Sequence, residues 1–191
     1  QEPPFRADHV GSLLRPQKLA DARRAWKKGD MAEVAFRAIE TEAVRQAVAG
    51  QRDAGLLSIT DGEFQRDWWH LDFLAGFDGI EMWQTELGGG FNNEEQPPLV
   101  RVTDKIGWPE GGIFVNAFKA LKAAVDDMAP KATPKITTPG PGMMQLRAGQ
   151  KAVDPSAYTD MDAFWADLSA AFARCEYFGT PGIFTAPWWP A

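Results

Sequence analysis

Apolar and polar positions in this chain alternate in blocks of two different periods, and the blocks mark out its elements. Residues 5–14 read as a first strand that ends in a turn at Gly11 and Ser12. Pro16 discourages helix at Arg15 and permits one to begin at its own position. Residues 18–28 have helix-forming composition and stop at Gly29. Asp30 then reads as an N-cap, with Glu33 completing a capping box. Val34, Ile39, Val44 and Val48 trace an approximate apolar stripe, predicting a helix that runs to about Ala54 and ends at Gly55. Leu56, Leu57 and Ile59 lie in a short apolar run of the kind a fully buried parallel strand shows. Residues 67–73 predict a short helix, and residues 80–86 one arm of a hairpin. Residues 99–108 alternate well enough for a strand, closed by Pro109. Phe114, Val115, Phe118, Leu121, Val125 and Met128 share one face of a helix over 114–128. A short strand over 135–138 runs into Pro139, Gly140, Pro141 and Gly142. The last helix spans about 160–174, with Met161, Phe164, Leu168 and Phe172 on one side.

These blocks amount to about four strand and helix pairs, which favours a parallel α/β layout. A complete eightfold barrel needs roughly 200 residues and more commonly about 250. This chain has 191 and spends many of them on loops, so the expected fold is half of a TIM-type barrel. It carries a long irregular insertion over 76–98, rich in Gly and Asn. Such a segment is unusual in a compact domain, and both a lid over a site and a surface loop fit it. Half a barrel has two open strand edges and an exposed apolar interior. Self-association into a homodimer or higher homo-oligomer is therefore expected.

Composition narrows the partners. With 45% hydrophobic and 24% charged residues the chain is globular. A net charge of −6, with no basic stripe, argues against nucleic acid as the main partner. No apolar run reaches membrane-spanning length and the opening residues are no signal peptide, so no membrane partner and a cytoplasmic location are expected. The first residue is Gln, which fits numbering that begins inside a longer chain or after processing. The single cysteine, Cys175, excludes an internal disulfide and a cysteine-rich zinc cluster.

The candidate chemistry lies at Asp61, Gly62 and Glu63, where two carboxylates flank a glycine just after the 56–59 run. In barrels of alternating strands and helices, a polar cluster at the carboxyl end of a strand lies on the catalytic face. Gly62 allows a sharp turn or a close backbone approach. Phe64, Trp68 and Trp69 offer an apolar wall beside the charges. Asp61 reads either as a support for Glu63 or as a cap of the next turn, the cap being favoured. The soft ligands are His9, His70 and Cys175, no two at ligand spacing, so no metal site is expected. His9 either lines a pocket near the first strand's end or is an ordinary hydrogen-bonded histidine. His70, behind two tryptophans, reads as structural, and Cys175 receives no role.

Three segments together resemble a known family. They are Arg6-Ala-Asp-His-Val-Gly-Ser-Leu-Leu-Arg-Pro16, Ile59-Thr-Asp-Gly-Glu-Phe64 with Trp68, Trp69, Asp72 and Phe73, and Pro134-Lys-Ile-Thr-Thr-Pro-Gly-Pro141. In order and spacing they are similar to the amino-terminal half of proteins like the catalytic domain of cobalamin-independent methionine synthase, a superfamily that includes epoxyalkane–coenzyme M transferase. The resemblance implies a barrel of the methionine synthase and uroporphyrinogen decarboxylase type. It implies methyl transfer from a folate to a thiol such as homocysteine, held as thiolate on zinc. Gly11 and Ser12 would match the turn whose backbone holds the amino acid's carboxylate, and Glu63 the glutamate that binds its ammonium group. The family's zinc ligands lie in the carboxyl-terminal half and have no counterpart here. Neither zinc nor a folate is therefore expected as a cofactor of this chain, although full-length relatives use both.

The match extends from about residue 5 to 172 and fails near Arg174. The chain thus divides into a barrel portion over 1–174 and a divergent Pro- and Trp-rich tail over 175–191. A shifted reading frame after Arg174 would produce such an ending. Three functions follow: a methyltransferase-like protein without its metal half, a non-catalytic small-ligand-binding homo-oligomer, and a hydrolase using Asp61 and Glu63 as a carboxylate pair. The expected ligand in the first two is an amino acid or thiol.

Overall fold

The computed structural model describes residues 9–84, 98–145 and 149–174. Helix α1 (Gln17–Lys28) starts where the Pro16 carbonyl accepts from the Leu19 and Ala20 N–H groups. It ends at Gly29, whose φ of 82° places it in the left-handed region that glycine enters without steric cost. The Gly29 and Asp30 N–H groups donate to the carbonyls of Trp26 and Ala25, closing the helix. This overturns the expected cap. Asp30 is engaged in finishing α1, and α2 (Glu33–Asp53) begins after Ala32 with no side-chain cap bond. The expected stripe on α2 also shifts. Val34 is 79% exposed, and the buried face runs through Phe36, Glu40, Val44, Val48 and Gln51.

β1 (Ser58–Thr60) lies slightly later than the 56–59 run, and Leu57 is exposed while Ile59 is fully buried. α3 (Leu71–Leu74) is shorter than expected. β2 (Asp78–Trp83) and β3 (Leu99–Gly107) pair antiparallel, with Ile80 opposite Val102 and Met82 opposite Val100. The hairpin arm over 80–86 is present up to Trp83; its remainder and most of the 76–98 insertion lie outside the described residues. α4 (Val115–Met128) and α5 (Met161–Ala173) follow the expected spans closely. Asp160 caps α5 by accepting from the Asp162 N–H at 3.0 Å. β4 (Thr133–Lys135) starts before the expected 135–138 strand and pairs parallel with β1, Ile59 opposite Pro134.

The four-strand parallel layout is corrected accordingly. Among the described residues β1 and β4 are the parallel pair, β2 and β3 form a hairpin, and no strand lies within residues 9–14. Antiparallel neighbours of this kind need no crossover connection, whereas the parallel pair β1 and β4 is separated by the long intervening chain that parallel pairing requires. The result is mixed α/β, and the first eight residues lie outside the described set.

The chain divides into two units: Gln1–Asp67 with Asn116–Thr137, and Trp68–Val115 with Thr138–Ala191. In the first, Leu19, Phe36, Val48, Ile59, Leu121 and Val125 form the core, and Trp26 stacks on Phe36 at 4.7 Å. In the second, Phe73, Phe77, Val102, Phe164 and Leu168 form a separate core. No helix among the described residues is long and apolar enough to cross a membrane.

Candidate ligand-binding site

The first unit brings the expected polar residues to one place. β1 and β4 run parallel, so the residues following Thr60 and Lys135 leave the sheet at the same end. After β1 the chain turns through Gly62 and Glu63, both left-handed, at φ 67° and 60°. Glycine accepts that conformation freely. For a glutamate it costs roughly 1–2 kcal/mol, a strain that persists only where the surroundings enforce it.

Here they do. The Asp61 carboxylate accepts from the Glu63 N–H at 3.0 Å, and the Gly62 N–H donates to Thr60 Oγ1 at 3.1 Å. The Thr60 hydroxyl donates to the Gly11 carbonyl at 2.8 Å, and the Leu13 N–H to the Gly62 carbonyl at 3.1 Å. These bonds tie the Gly11 turn to the Glu63 turn. Gln51, on α2, receives the Thr60 N–H at 3.0 Å and donates back to its carbonyl at 2.8 Å, serving β1 as a neighbouring strand would.

The Glu63 carboxylate is buried and accepts from Thr137 Oγ1 at 2.8 Å, with Arg66 Nη1 at 3.9 Å. Gly11 is the close-approach glycine of this site. A Cβ there would lie 2.6 Å from Thr137 Oγ1 and 2.7 Å from Glu63 Oε1. Gly11, Glu63 and Thr137 therefore meet directly, while the Ser12 side chain is exposed to solvent. His9 lies beside Lys135, the last residue of β4. Its carbonyl accepts from Lys135 Nζ, and its Nε2 is buried with no hydrogen-bond partner. His70 belongs to the other unit, where its ring tilts against Trp69 at 4.6 Å. Cys175 lies outside the described residues.

Asp61 faces the backbone. It is 1% exposed, and its second oxygen accepts from the Gln65 amide at 3.4 Å. Burial pushes its carboxyl above the ordinary aspartate range, against the lowering effects of the Glu63 N–H and the Arg66 charge. A carboxyl raised on folding holds its proton more tightly in the folded state. Its contribution to stability is present at low pH and is lost as pH rises through the folded-state pKa. Asp61→Asn keeps an oxygen for the Glu63 N–H and removes the charge. Its thermal midpoint relative to the native chain is expected to rise as pH increases from about 4 to 8. A flat difference across that range would contradict this assignment.

Sequence reasoning placed Thr137 in the 135–138 strand without giving it a role. It missed Arg15, Arg23 and Gln51. Arg23 had a signal: with Leu19, Ala22 and Trp26 it sits at helical spacing on the stripe that meets the core. A charge on such a stripe implies a buried partner.

A catalytic zinc requires three protein ligands and an open position. Among the described residues no three His, Cys, Asp or Glu side chains group closely enough to hold a metal ion. The donors do not fit that role.

No protein-family model matches the chain. It is 37% identical over 172 residues to YxjH, an uncharacterized Bacillus subtilis protein, covering 90% of this chain and 44% of that one. It is 35% identical over 175 residues to a second uncharacterized B. subtilis protein, YxjG, covering 91% and 44%. The chain thus spans less than half the length of these relatives. A structure from Listeria monocytogenes, assigned provisionally as a vitamin-B12-independent methionine synthase, matches with TM-score 0.71 and 34% identity, covering 92% of this chain and 48% of that one. A B12-independent methionine synthase from Shewanella sp. W3-18-1, solved with selenomethionine, matches with TM-score 0.50 at 17% identity over 74% and 41%, a likeness of fold alone. The chain is related in sequence and fold to the methionine synthase-like proteins and corresponds to about half of one, consistent with an amino-terminal half.

Proposed function

We propose that this chain binds a small amino acid or thiol at the Glu63 turn, as the ligand-holding portion of a methionine synthase-like barrel. The observation that carries the reading is the meeting of Gly11, Glu63 and Thr137 beyond the carboxyl ends of two parallel strands. That is the end at which barrels of this kind bind their ligands. Glu63 serves as the anion for the ligand's ammonium group, and the Gly11–Ser12 backbone meets its carboxylate. A charge-assisted bond to a fixed carboxylate selects an amino acid over a neutral thiol. Thr137 steadies the Glu63 carboxylate, and His9 Nε2 offers a further polar contact.

Methyl transfer to a thiol requires a thiolate, which at neutral pH calls for a metal or a lowered pKa. The described residues supply no such metal site, which favours a second reading. In it the chain is a non-catalytic, self-associated binding protein that keeps the family's ligand pocket. The reading as a carboxylate hydrolase has less support, because both Asp61 oxygens already accept hydrogen bonds from the turn.

Calorimetric titration with methionine, homocysteine and a folate, with zinc analysis alongside, tests these readings. Methionine is expected to bind, and Glu63→Gln to weaken it by about 1.5–3 kcal/mol, the usual worth of a hydrogen bond to a charged group. Unchanged binding by that variant would remove Glu63 from the site. Stoichiometric zinc with homocysteine binding would restore the methyltransferase reading. The two-stranded β1 and β4 sheet leaves strand edges unpaired among the described residues. Sedimentation is expected to give a dimer or higher oligomer, and a monodisperse monomer would rule self-association out.

A further inference from the structure

We infer that Arg15 and Arg23 are positioning residues for the Glu63 carboxylate, acting through the main chain of the turn that carries it. The inference rests on the reading of Glu63 as the ammonium-binding group.

Three carbonyls of that turn, those of Glu63, Phe64 and Arg66, receive guanidinium donors. Arg15 Nη2 donates to the Arg66 carbonyl and, at 3.5 Å, to that of Glu63. Arg23 Nη1 donates to the same Arg66 carbonyl, and its Nη2 to that of Phe64. Arg23 is buried and is itself fixed from behind. Glu40 on α2 accepts from its Nη2 at 2.8 Å, and Asp67 lies 3.7 Å from its Nη1. Arg15 sits between the Gly11 turn and α1, so its hold joins the two halves of the site.

A guanidinium is planar and presents its donors in a rigid fork, so two of them on adjacent carbonyls fix where those peptide planes lie. This matters most at Glu63, whose left-handed backbone a glutamate does not choose by itself. A turn needed for shape alone would be met by glycine at this position, as it is at Gly62. A carboxylate is placed there instead. Asp61 holds the Glu63 N–H, Arg15 and the Arg66 N–H reach the Glu63 carbonyl, and Arg23 fixes the carbonyls that follow, at Phe64 and Arg66. This favours a demand for the side chain's direction. That direction is toward Thr137 Oγ1 and Gly11.

The test compares L-methionine with 4-(methylthio)butanoate, the same molecule without its ammonium group. Dissociation constants are measured for the native chain, Arg15→Met, Arg15→Lys, Arg23→Lys, Glu63→Gln and the Arg15→Met/Glu63→Gln double variant, with thermal midpoints for each. The native chain should prefer methionine. Arg15→Met should lose roughly tenfold or more of that preference, the scale of one charge-assisted bond, while the affinity for the analogue stays unchanged. Arg15→Lys should recover part of it, and Arg23→Lys should show the same selective loss. In the Glu63→Gln background Arg15→Met should change the preference no further, since both act on one interaction. An undiminished preference in both the Arg15→Met and Arg23→Lys variants overturns the inference. So does an equal loss for the two ligands, which marks a merely structural role. A preference lost in Glu63→Gln but kept in the arginine variants overturns the positioning role alone. A preference that survives Glu63→Gln overturns the reading of Glu63 and this inference with it.

Discussion

Phe73→Ala is expected to destabilise the chain by about 3–5 kcal/mol, the range for deleting a buried aromatic ring from a packed core. Phe73 is fully buried and central to an aromatic group, with Phe77 at 5.4 Å, Phe114 at 5.7 Å and Phe172 at 5.9 Å between ring centroids. The Phe77 contact is edge-to-face, a geometry worth about 0.5–1.5 kcal/mol beyond area burial. Phe77 in turn stacks on Phe172 of α5 at 5.0 Å. The cavity therefore opens where α3, the hairpin and α5 share their core, and none of them can close it alone. Denaturant unfolding gives the size of the loss. Amide exchange should quicken together in Leu99–Gly107 and Met161–Ala173, which pack into that core. A loss below about 1 kcal/mol would mean that the core collapses around the gap.

Arg23→Met should cost about as much, roughly 3–5 kcal/mol, for a different reason. The methionine keeps much of the apolar stem but not the guanidinium, which lies over the Phe36 ring at 5.4 Å from its centroid. What it removes is the donor set. The Glu40 carboxylate, 4% exposed, loses its bond to Arg23, and the Phe64 and Arg66 carbonyls lose theirs. Arg37 still reaches the other Glu40 oxygen at 2.8 Å, but from a half-exposed position. Breaking one side of a buried ion pair is far more damaging than replacing both partners with apolar residues. The Arg23→Met/Glu40→Met double variant should accordingly recover part of the loss. Chemical denaturation of the two single variants and the double checks this, and additive losses would argue against a coupled pair.

Much of the secondary structure was legible in local pattern. The spans of α1, α2, α4 and α5 follow from apolar spacing and from Pro16 and Gly29, because a helix is closed by hydrogen bonds within its own segment. The Asp61–Glu63 cluster was visible for the same kind of reason: carboxylates and a glycine straight after an apolar run are a local signal. Where local reading went wrong, one residue had two possible uses. Asp30 satisfies the sequence rule for an N-cap, but it closes α1 through its N–H and α2 starts only at Glu33, with Ala32 at the cap position. Val34 fits a stripe on paper, yet the face that meets the core runs through Phe36 and Glu40.

Strand partners and site partners were not legible, and the reason is distance along the chain. That β1 takes β4 as its parallel neighbour, and that β3 turns back on β2, depends on which edges come together in space. Thr137 reaches Glu63 across 74 positions, and Arg23 reaches the Phe64 carbonyl across 41. The left-handed backbone of Glu63 is likewise a tertiary decision, since no local preference of a glutamate would place it there. The sequence alone determined the helices, the glycine-marked turns and the close placement of Asp61 with the Glu63 carboxylate, because these depend on neighbours within a few residues. The folded structure alone decided which direction that carboxylate faces and what holds it, because those bonds form only once α1, α2 and the ends of β1 and β4 have been brought together.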